Sequence, residues 1–255
     1  MTCEQIKLSG VGWILPSGNG SGNEIFSRPE WLDWTAEDNA KLEGFSARPY
    51  LRSVKGYLDP AGAFFLAAST LALEFWPGDT PGGLYADAGI CTVTQYGAPQ
   101  SGYRFYEQFI QKGARFASPL LFPHGYPNTA GNLAAIELGF GGPHMVFYGT
   151  SNPGEAFDFA LSRLQDGTAR NMLVGVCEAV SPQALPDHLR VLNGAIAIWL
   201  SVEPEAPELV SGDRLSNFVK DVPAEGRGSV NAMLSLITKF GRSGETCVNN
   251  PPNDS

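Results

Sequence analysis

The residues best placed to do chemistry lie where a predicted strand runs directly into a predicted helix. The stretch GGPHMVFYGTSNPGEAF, Gly141–Phe157, carries Ser151 at this junction. Its GTSNP segment approximates the G-x-S-x-G turn on which many hydrolases mount a nucleophilic serine, but Pro153 replaces the second glycine. A serine nucleophile also needs a base, and His188 is the only histidine that follows Ser151 in the sequence. A hydrolase or acyltransferase that uses Ser151 is therefore kept as the alternative prediction.

A capped helix explains the same residues without catalysis. Asn152 is a favoured N-cap residue, Pro153 suits the first helical position, and Glu155 at the third position completes a start that resembles a capping box. The hydrophobic spacing predicts a helix over Pro153–Gln165 and, before it, a buried strand over His144–Tyr148. On this interpretation the junction is purely structural.

The other candidate sites carry less information. Gly18–Gly22 follows a predicted strand, but it lacks both the third glycine of G-x-G-x-x-G and the Gly-Lys-Ser/Thr of a phosphate loop, so we predict a flexible surface loop. The histidines and cysteines do not lie at metal-ligand spacing, and the cysteines form no disulfide framework. These residues are His124, His144, His188, Cys3, Cys91, Cys177 and Cys247. We predict no metal and no cofactor.

The charge balance excludes some classes of partner. The chain has 17 basic and 26 acidic residues, which give a formal net charge of −9. Nucleic acids and anionic membranes attract clustered Lys and Arg, so neither is expected as the main partner. No apolar run approaches the roughly 20 residues that a membrane-spanning helix needs, and no signal-peptide pattern is evident. We therefore expect a cytoplasmic protein with no membrane span.

Alternating strand and helix signals predict an α/β protein with a mostly parallel sheet flanked by helices. Asp59 and Pro60 mark the start of a helix that is apolar nearly all round and ends before Trp76, so most of its surface must be buried. The other predicted helices are Tyr103–Lys112, Asn128–Leu138 and Val230–Phe240, and the other predicted strands are Gln5–Val11, Leu84–Thr92, Met172–Cys177 and Ala195–Val202.

Several motifs, in order, resemble those of the β-ketoacyl synthases of fatty acid and polyketide assembly. KLSGVGWILPSG is similar to the opening strand and turn of that family, and LRSVKGYLDPAGAFFLAASTLAL is similar to its first long helix. ASPLLFPHGYPNTAGNLAAIELGFGGPH resembles the segment that carries Ser-Pro, then Asn, then a helix of small residues ending in Gly-Pro. LVGVCEAVSP is similar to the strand that follows the nucleophile helix. The resemblance covers about Ile6 to Val202.

The resemblance implies a thiolase-like fold of which the chain holds a single N-terminal half. We accordingly expect a ketosynthase N-terminal-like domain over residues 1–203, a C-terminal extension over 204–242 that packs on it, and a disordered tail over 243–255. In the family the strand before the nucleophile forms the dimer interface, and the two catalytic histidines come from the second half. Aligning Gly142-Pro143 with the family motif places Ser151 where the catalytic cysteine stands.

These departures from the family pattern imply that the chain does not catalyse condensation. Condensation needs a thiolate to accept the acyl group, and Ser151 is a much weaker nucleophile without a base. The resemblance then points to a chain-length-factor-like subunit that pairs with an active ketosynthase and shapes its acyl tunnel, for example in aryl polyene biosynthesis. Met145, Phe147, Tyr148 and Phe157 are the residues predicted to set the tunnel depth. An acyl carrier protein would dock on the partner, since this chain is itself acidic. A stand-alone homodimer that binds acyl chains is a third possibility.

Overall fold

The computed structural model describes residues 6–53, 57–74, 85–181, 189–210 and 227–242. Some predictions fall outside these residues. They concern His188, Trp76, Cys3, Cys247 and the predicted tail over 243–255. The predicted division into domains also stays a prediction.

Six strands form one sheet with the order β2-β1-β6-β5-β3-β4. The strands are β1 (Lys7–Leu15), β2 (Gly18–Ser21), β3 (Ala88–Thr94), β4 (His144–Tyr148), β5 (Asn171–Glu178) and β6 (Gly194–Ser201). The helices are α1 (Pro60–Ala72), α2 (Pro99–Lys112), α3 (Thr129–Leu138), α4 (Gly154–Gln165) and α5 (Ser229–Arg242). Short 3-10 helices are Glu24–Ser27, Pro29–Leu32, Ala36–Leu42, Arg48–Tyr50, Ala114–Phe116 and Phe122–Gly125.

The sheet is mixed, and the prediction of a mostly parallel sheet is corrected. β3 is parallel to β4 and to β5, and helices provide the crossovers that parallel pairing needs. β6 pairs with β5 in the antiparallel sense, and no helix is described between these two strands. β1 is antiparallel to both of its neighbours, β2 and β6. Parallel pairing is therefore confined to one side of the sheet, the side that carries the Ser151 junction.

The predicted flexible loop Gly18–Gly22 is wrong, because most of it is strand β2. Its residues pair with β1 in a tight hairpin, with Leu15 opposite Gly18 and Trp13 opposite Gly20. A Cβ added at Gly20 would lie 2.8 Å from the Trp13 ring, so a glycine there lets the indole lie flat against the hairpin. Gly20 thus serves close packing within the hairpin, whereas a Cβ at Gly18 would meet no atom within 4 Å.

Helix α1 starts where the sequence predicts. An Asp59 carboxylate oxygen accepts a hydrogen bond from the Ala61 backbone N–H at 3.0 Å, and Pro60 holds the first helical position. α1 packs on β1, β6 and α3, and its apolar residues form a core on one face of the sheet. The outer side of this core is covered by apolar side chains from the segment before α1. They are Leu42, Phe45, Tyr50, Leu51 and Leu58.

Helices α4 and α5 cover the opposite face of the sheet. Phe157 and Leu164 of α4 pack in one core with Val230 and Met233 of α5 and with side chains of β3, β5 and β6. α5 also contacts the 3-10 helix Glu24–Ser27, which closes the outside of this layer. Both faces of the central strands are therefore buried by the chain's own segments. The two edge strands, β2 and β4, are the strands of the sheet that have no buried residues.

Candidate functional site

The Ser151 junction follows the carboxyl end of β4. The chain turns at Gly149, whose φ of +79° is readily adopted only by glycine. The Gly149 N–H donates to the Thr94 carbonyl of β3 at 3.1 Å, which anchors the turn to the neighbouring strand. Ser151 itself is half-buried, two residues beyond this anchor. The sequence and the structure thus agree that a strand leads through a tight turn to a helix at this point.

The capping of α4 differs from the predicted capping box. The helix begins at Gly154, one residue later than predicted, and the Asn152 side chain accepts from the Gly154 N–H at 2.9 Å. Glu155 does not reach back to the Asn152 backbone. Its carboxylate instead accepts from the Thr150 hydroxyl at 2.9 Å, and the Thr150 oxygen accepts from the Asn152 N–H at 3.1 Å. The competing hydroxyl of Thr150 explains why the expected pairing does not form.

These hydrogen bonds bear on what the junction can do. In a nucleophile elbow, backbone N–H groups at the start of the helix point at the reacting oxygen and stabilise its negative charge. Here the Asn152 and Gly154 N–H groups already donate to side-chain oxygens of Thr150 and Asn152. The Ala156 N–H donates to the Pro153 carbonyl. The donors nearest Ser151 are thus used to hold the turn.

The described residues place no base at the Ser151 hydroxyl. His144 opens β4, and a Cβ at Gly131 of α3 would lie 3.1 Å from its Nε2, so this ring packs beneath α3. Burial lowers the pKa of His144. The His124 ring packs edge-on against Tyr57, with the ring centroids 5.7 Å apart. The structure brings neither histidine to Ser151.

The described cysteines are buried away from the junction. Cys91 lies in β3, and its Sγ donates to the Ala156 carbonyl of α4 at 3.2 Å. Burial raises the pKa of Cys91. Burial also raises the pKa of Cys177, and the nearby carboxyls of Glu178 and Asp59 add to this effect. Neither thiol can supply a thiolate at neutral pH. Among the residues described, no group of three or more His, Cys, Asp or Glu side chains could hold a metal ion.

Strand β4 lies at the edge of the sheet, which corrects the prediction that it is buried. Its apolar side chains follow the pattern of a core strand, yet Met145 and Tyr148 are 40% and 60% exposed. Hydrophobic periodicity cannot distinguish a central strand from an edge strand that another surface covers. A parallel edge strand with exposed apolar side chains offers both backbone groups and hydrophobic area to a further chain.

Helix α2 and the segment after it expose a second set of large apolar side chains. α2 covers the predicted helix Tyr103–Lys112 and is amphipathic, but the stripe at Tyr103, Tyr106 and Ile110 faces outward, and each of these side chains is more than 60% exposed. We call the following residues the aromatic face: Tyr103, Tyr106, Phe109, Ile110, Phe116, Leu120, Phe122, Tyr126 and Tyr148. Met145 is exposed on the other side of β4, because successive side chains of a strand point to opposite faces of the sheet. The sequence signal for this surface is the apolar stripe of α2.

The aromatic face is continuous from α2 to β4. The Phe122 ring lies 5.3 Å from Phe105 of α2 and 5.2 Å from Tyr126, measured between centroids. A Cβ at Gly97, which is two residues before α2, would lie 3.4 Å from the Tyr148 ring and 3.2 Å from Pro127. The end of β4, the start of α2 and the end of the 3-10 segment therefore meet. Monomeric proteins rarely expose such a large contiguous apolar area.

Similar proteins share this arrangement of strands and helices. No protein-family model matches the chain. Chloroplastic 3-oxoacyl-[acyl-carrier-protein] synthase I of Arabidopsis thaliana is 24% identical over 193 residues, which cover 69% of this chain and 41% of that enzyme. The ishigamide ketosynthase/chain length factor superposes with a TM-score of 0.63 at 19% identity, over 80% of this chain and 64% of that chain. The chain has the ketosynthase fold.

Two further solved structures agree with this assignment. A solved complex of a type II PKS acyl-carrier protein with its ketosynthase contains a chain that superposes with a TM-score of 0.62 at 19% identity. The match covers 77% of this chain and 62% of that chain. A β-ketoacyl synthase from Burkholderia phymatum STM815 gives 0.58 at 15% identity, with 78% and 59% covered. The chain spans less than two thirds of the length of each of these four relatives. The thiolase-like α/β ketosynthase fold predicted from the motifs is confirmed.

The described helices include none that is both long and apolar enough to cross a membrane.

Proposed function

We propose that the chain is a noncatalytic ketosynthase-like subunit that pairs with an active β-ketoacyl synthase and shapes the tunnel holding its acyl chain. The observation that carries this proposal is the exposed edge strand β4, joined to the aromatic face. An edge strand flanked by apolar side chains is a surface for another sheet edge. Such pairing would extend the sheet beyond β4 and remove the aromatic side chains from water.

A noncatalytic role is supported by the chemistry of the Ser151 junction. An acyl-accepting nucleophile needs a low-pKa thiol or an activated hydroxyl, together with donors for the oxyanion. The described residues offer Ser151 no base, and the neighbouring N–H groups of Asn152 and Gly154 are engaged in the turn. The chemistry would then belong to the partner. The acyl carrier protein would likewise dock on the partner, since this chain carries a net charge of −9.

The side chains that would shape the tunnel are those at the sheet edge. Met145 and Tyr148 are exposed on β4 and would meet the partner. Phe147 is partly buried and packs edge-on against Phe159 of α4, with a centroid distance of 6.5 Å. Phe157, which was predicted to set tunnel depth, lies fully buried in the core between α4 and the sheet. Tunnel depth would therefore depend on Met145 and Tyr148.

Co-expression with a full-length β-ketoacyl synthase encoded beside this chain tests the proposal. We expect the two chains to co-purify, and we expect removal of this chain to change the length of the product. Ile110→Lys places a charge in the aromatic face and is expected to weaken co-purification at least about tenfold, because a lysine there would be desolvated. Asn19→Lys adds the same charge on β2, at the opposite edge of the sheet, and should have no effect.

Substitution of Ser151 separates this proposal from the alternative of a serine acyltransferase or hydrolase. Ser151→Ala should leave both co-purification and product length unchanged, because the hydroxyl makes no bond that holds the turn. Intact-mass spectrometry after incubation with an acyl thioester or a fluorophosphonate should show no adduct. A covalent adduct that disappears in Ser151→Ala would favour the alternative, and failure to co-purify would contradict the pairing.

A further inference from the structure

A cleft of about 1500 Å³ opens between the segment before α1 and the N-terminal ends of α1 and α2. One wall is formed by residues 36–53, which include the 3-10 helices Ala36–Leu42 and Arg48–Tyr50. The other wall is formed by Pro60, Phe64 and Tyr103, together with the chain that leaves β5 at Ala179. The cleft is large enough to hold a small organic molecule.

The cleft is separate from the Ser151 junction. Phe64 belongs to the core that α1 and α3 form on one face of the sheet. α4, which follows Ser151, belongs to the core on the other face. The described residues that line the cleft do not include Ser151 or its neighbours. A ligand in the cleft would thus be bound independently of any acyl chain at the sheet edge, and independently of the function proposed above.

The interior of the cleft is apolar. Phe45 and Phe64 pack edge-on with their centroids 5.3 Å apart, and Leu42, Leu51 and Leu58 extend the same surface. Polar groups at the back of the cleft are used within the protein. The Asn193 N–H donates to the Asn39 side-chain oxygen at 2.9 Å, and the Asn39 amide donates to the Val191 carbonyl at 2.9 Å. A hydrocarbon chain therefore matches this interior better than a polar ligand.

The lining of the cleft carries three arginines and two glutamates, Glu37 and Glu43, and is therefore more positive than the chain as a whole, which has more acidic than basic residues. Arg48, Arg52 and Arg104 line the cleft and are exposed. Arg104 is held in place, because its Nη1 donates to the Tyr57 hydroxyl at 3.1 Å and its guanidinium lies 5.8 Å from the Tyr57 ring centre. An arginine guanidinium binds carboxylates through paired hydrogen bonds. These side chains would complement an anionic group at the cleft.

We infer that this cleft binds a small molecule with an apolar tail and a single anionic head, such as a long-chain carboxylate. The tail lies against Phe45 and Phe64, and the head pairs with Arg48 and Arg104. Binding here does not depend on Ser151 or on a partner subunit. The isolated chain is therefore expected to bind this ligand.

Titration of the full chain with laurate by isothermal calorimetry tests the inference. We expect saturable binding with one ligand per chain, and binding at least about tenfold weaker for dodecanol and for dodecylammonium, because dodecanol lacks the negative charge and the paired oxygens of a carboxylate, and dodecylammonium is a cation without an acceptor. Equal binding of laurate and dodecylammonium, or no saturable laurate binding, would overturn the inference.

Variants locate the site. Arg48→Gln combined with Arg104→Gln should weaken laurate binding at least about tenfold, whereas Arg115→Gln, outside the cleft, should not change it. Ala40→Trp places a large side chain at an exposed position of the cleft wall and should abolish binding. These exposed substitutions are checked for native folding by circular dichroism. Laurate binding that persists unchanged in folded Ala40→Trp would show that the ligand binds elsewhere.

Discussion

At the scale of single residues, Glu178 joins distant parts of the fold. It ends β5, is fully buried, and accepts hydrogen bonds from the Gln95 N–H at 2.7 Å and the Ser229 hydroxyl at 2.6 Å. The Tyr96 N–H and the Thr94 hydroxyl also donate to it. The carboxyl therefore fixes the chain after β3 and the start of α5 at the same time. Burial nevertheless raises its pKa, against the opposing effect of these donors.

This burial predicts how stability should vary with pH. A carboxyl whose pKa is higher in the folded than in the unfolded chain binds more protons when folded, so its contribution is complete below the unfolded pKa. That contribution decreases as the pH rises from about 4.5 through the raised folded pKa of Glu178. Glu178→Gln should cost about 1–3 kcal/mol, since the amide group would face N–H donors.

Urea unfolding of the wild type and of Glu178→Gln at several pH values measures this effect. The difference in unfolding free energy should be largest at low pH and should decrease as the pH rises. Asp158 is exposed and serves as a control, because Asp158→Asn leaves the buried carboxyl in place. A difference that grows as the pH rises would mean that folding lowers the pKa of Glu178.

At the scale of elements, the contact of α1 with β1 depends on glycine. Gly10 and Gly12 lie on the face of β1 that α1 crosses, and a Cβ at Gly12 would overlap the Ala68 carbonyl oxygen. A Cβ at Gly10 would overlap the carbonyl oxygen of Ala72. Backbone atoms on both sides cannot move independently, so the two elements approach closely only without side chains between them.

Gly12→Ala is therefore expected to destabilise the fold by more than about 2 kcal/mol, because the helix must shift away from the sheet. Gly102→Ala in α2 is the matched control. Its added Cβ would lie 3.9 Å from the nearest atom, the Gly125 carbonyl oxygen, and alanine in a helix should stabilise by about 0.5–1 kcal/mol. Chemical denaturation of both variants measures the two effects. Equal effects on stability would contradict the close-approach explanation.

The sequence predicted those features of the helices and strands that depend on residues close together in the chain. The start of α1 is confirmed because Asp59 and Pro60 act within one turn of the helix. The capping of α4 was wrong because the Thr150 hydroxyl, outside the expected motif, competes for Glu155. The hairpin strand β2 was missed because its glycines are typical of loops, and the reason for Gly20 is the Trp13 ring on the partner strand. That reason exists only once the strands are paired.

At the scale of the whole molecule, motif order predicted the fold, but the sequence did not predict which surfaces remain exposed. The apolar stripe of α2 and the apolar strand β4 have the patterns of core elements, and periodicity alone assigns them to the core. Conversely, the residues before α1 show no regular hydrophobic periodicity, yet Leu42 and Phe45 from this segment pack against the core that α1 forms. Burial depends on which element lies above another, and that is a property of the assembled sheet and its layers.

The aromatic face predicts a separation between folding and association. Ile110 is 62% exposed, so its side chain contributes little to the isolated fold, and Ile110→Lys should change the free energy of unfolding by less than about 0.5 kcal/mol. The same substitution should reduce self-association and the binding of an apolar dye by the isolated chain, because it places a charge within the exposed apolar area. Thermal unfolding, sedimentation velocity and dye fluorescence measure these quantities, with Asn19→Lys on the opposite sheet edge as the control.

A destabilisation above about 1 kcal/mol would mean that Ile110 packs within the isolated chain. The face would then be part of the core, and the case for an interface at this edge would be lost.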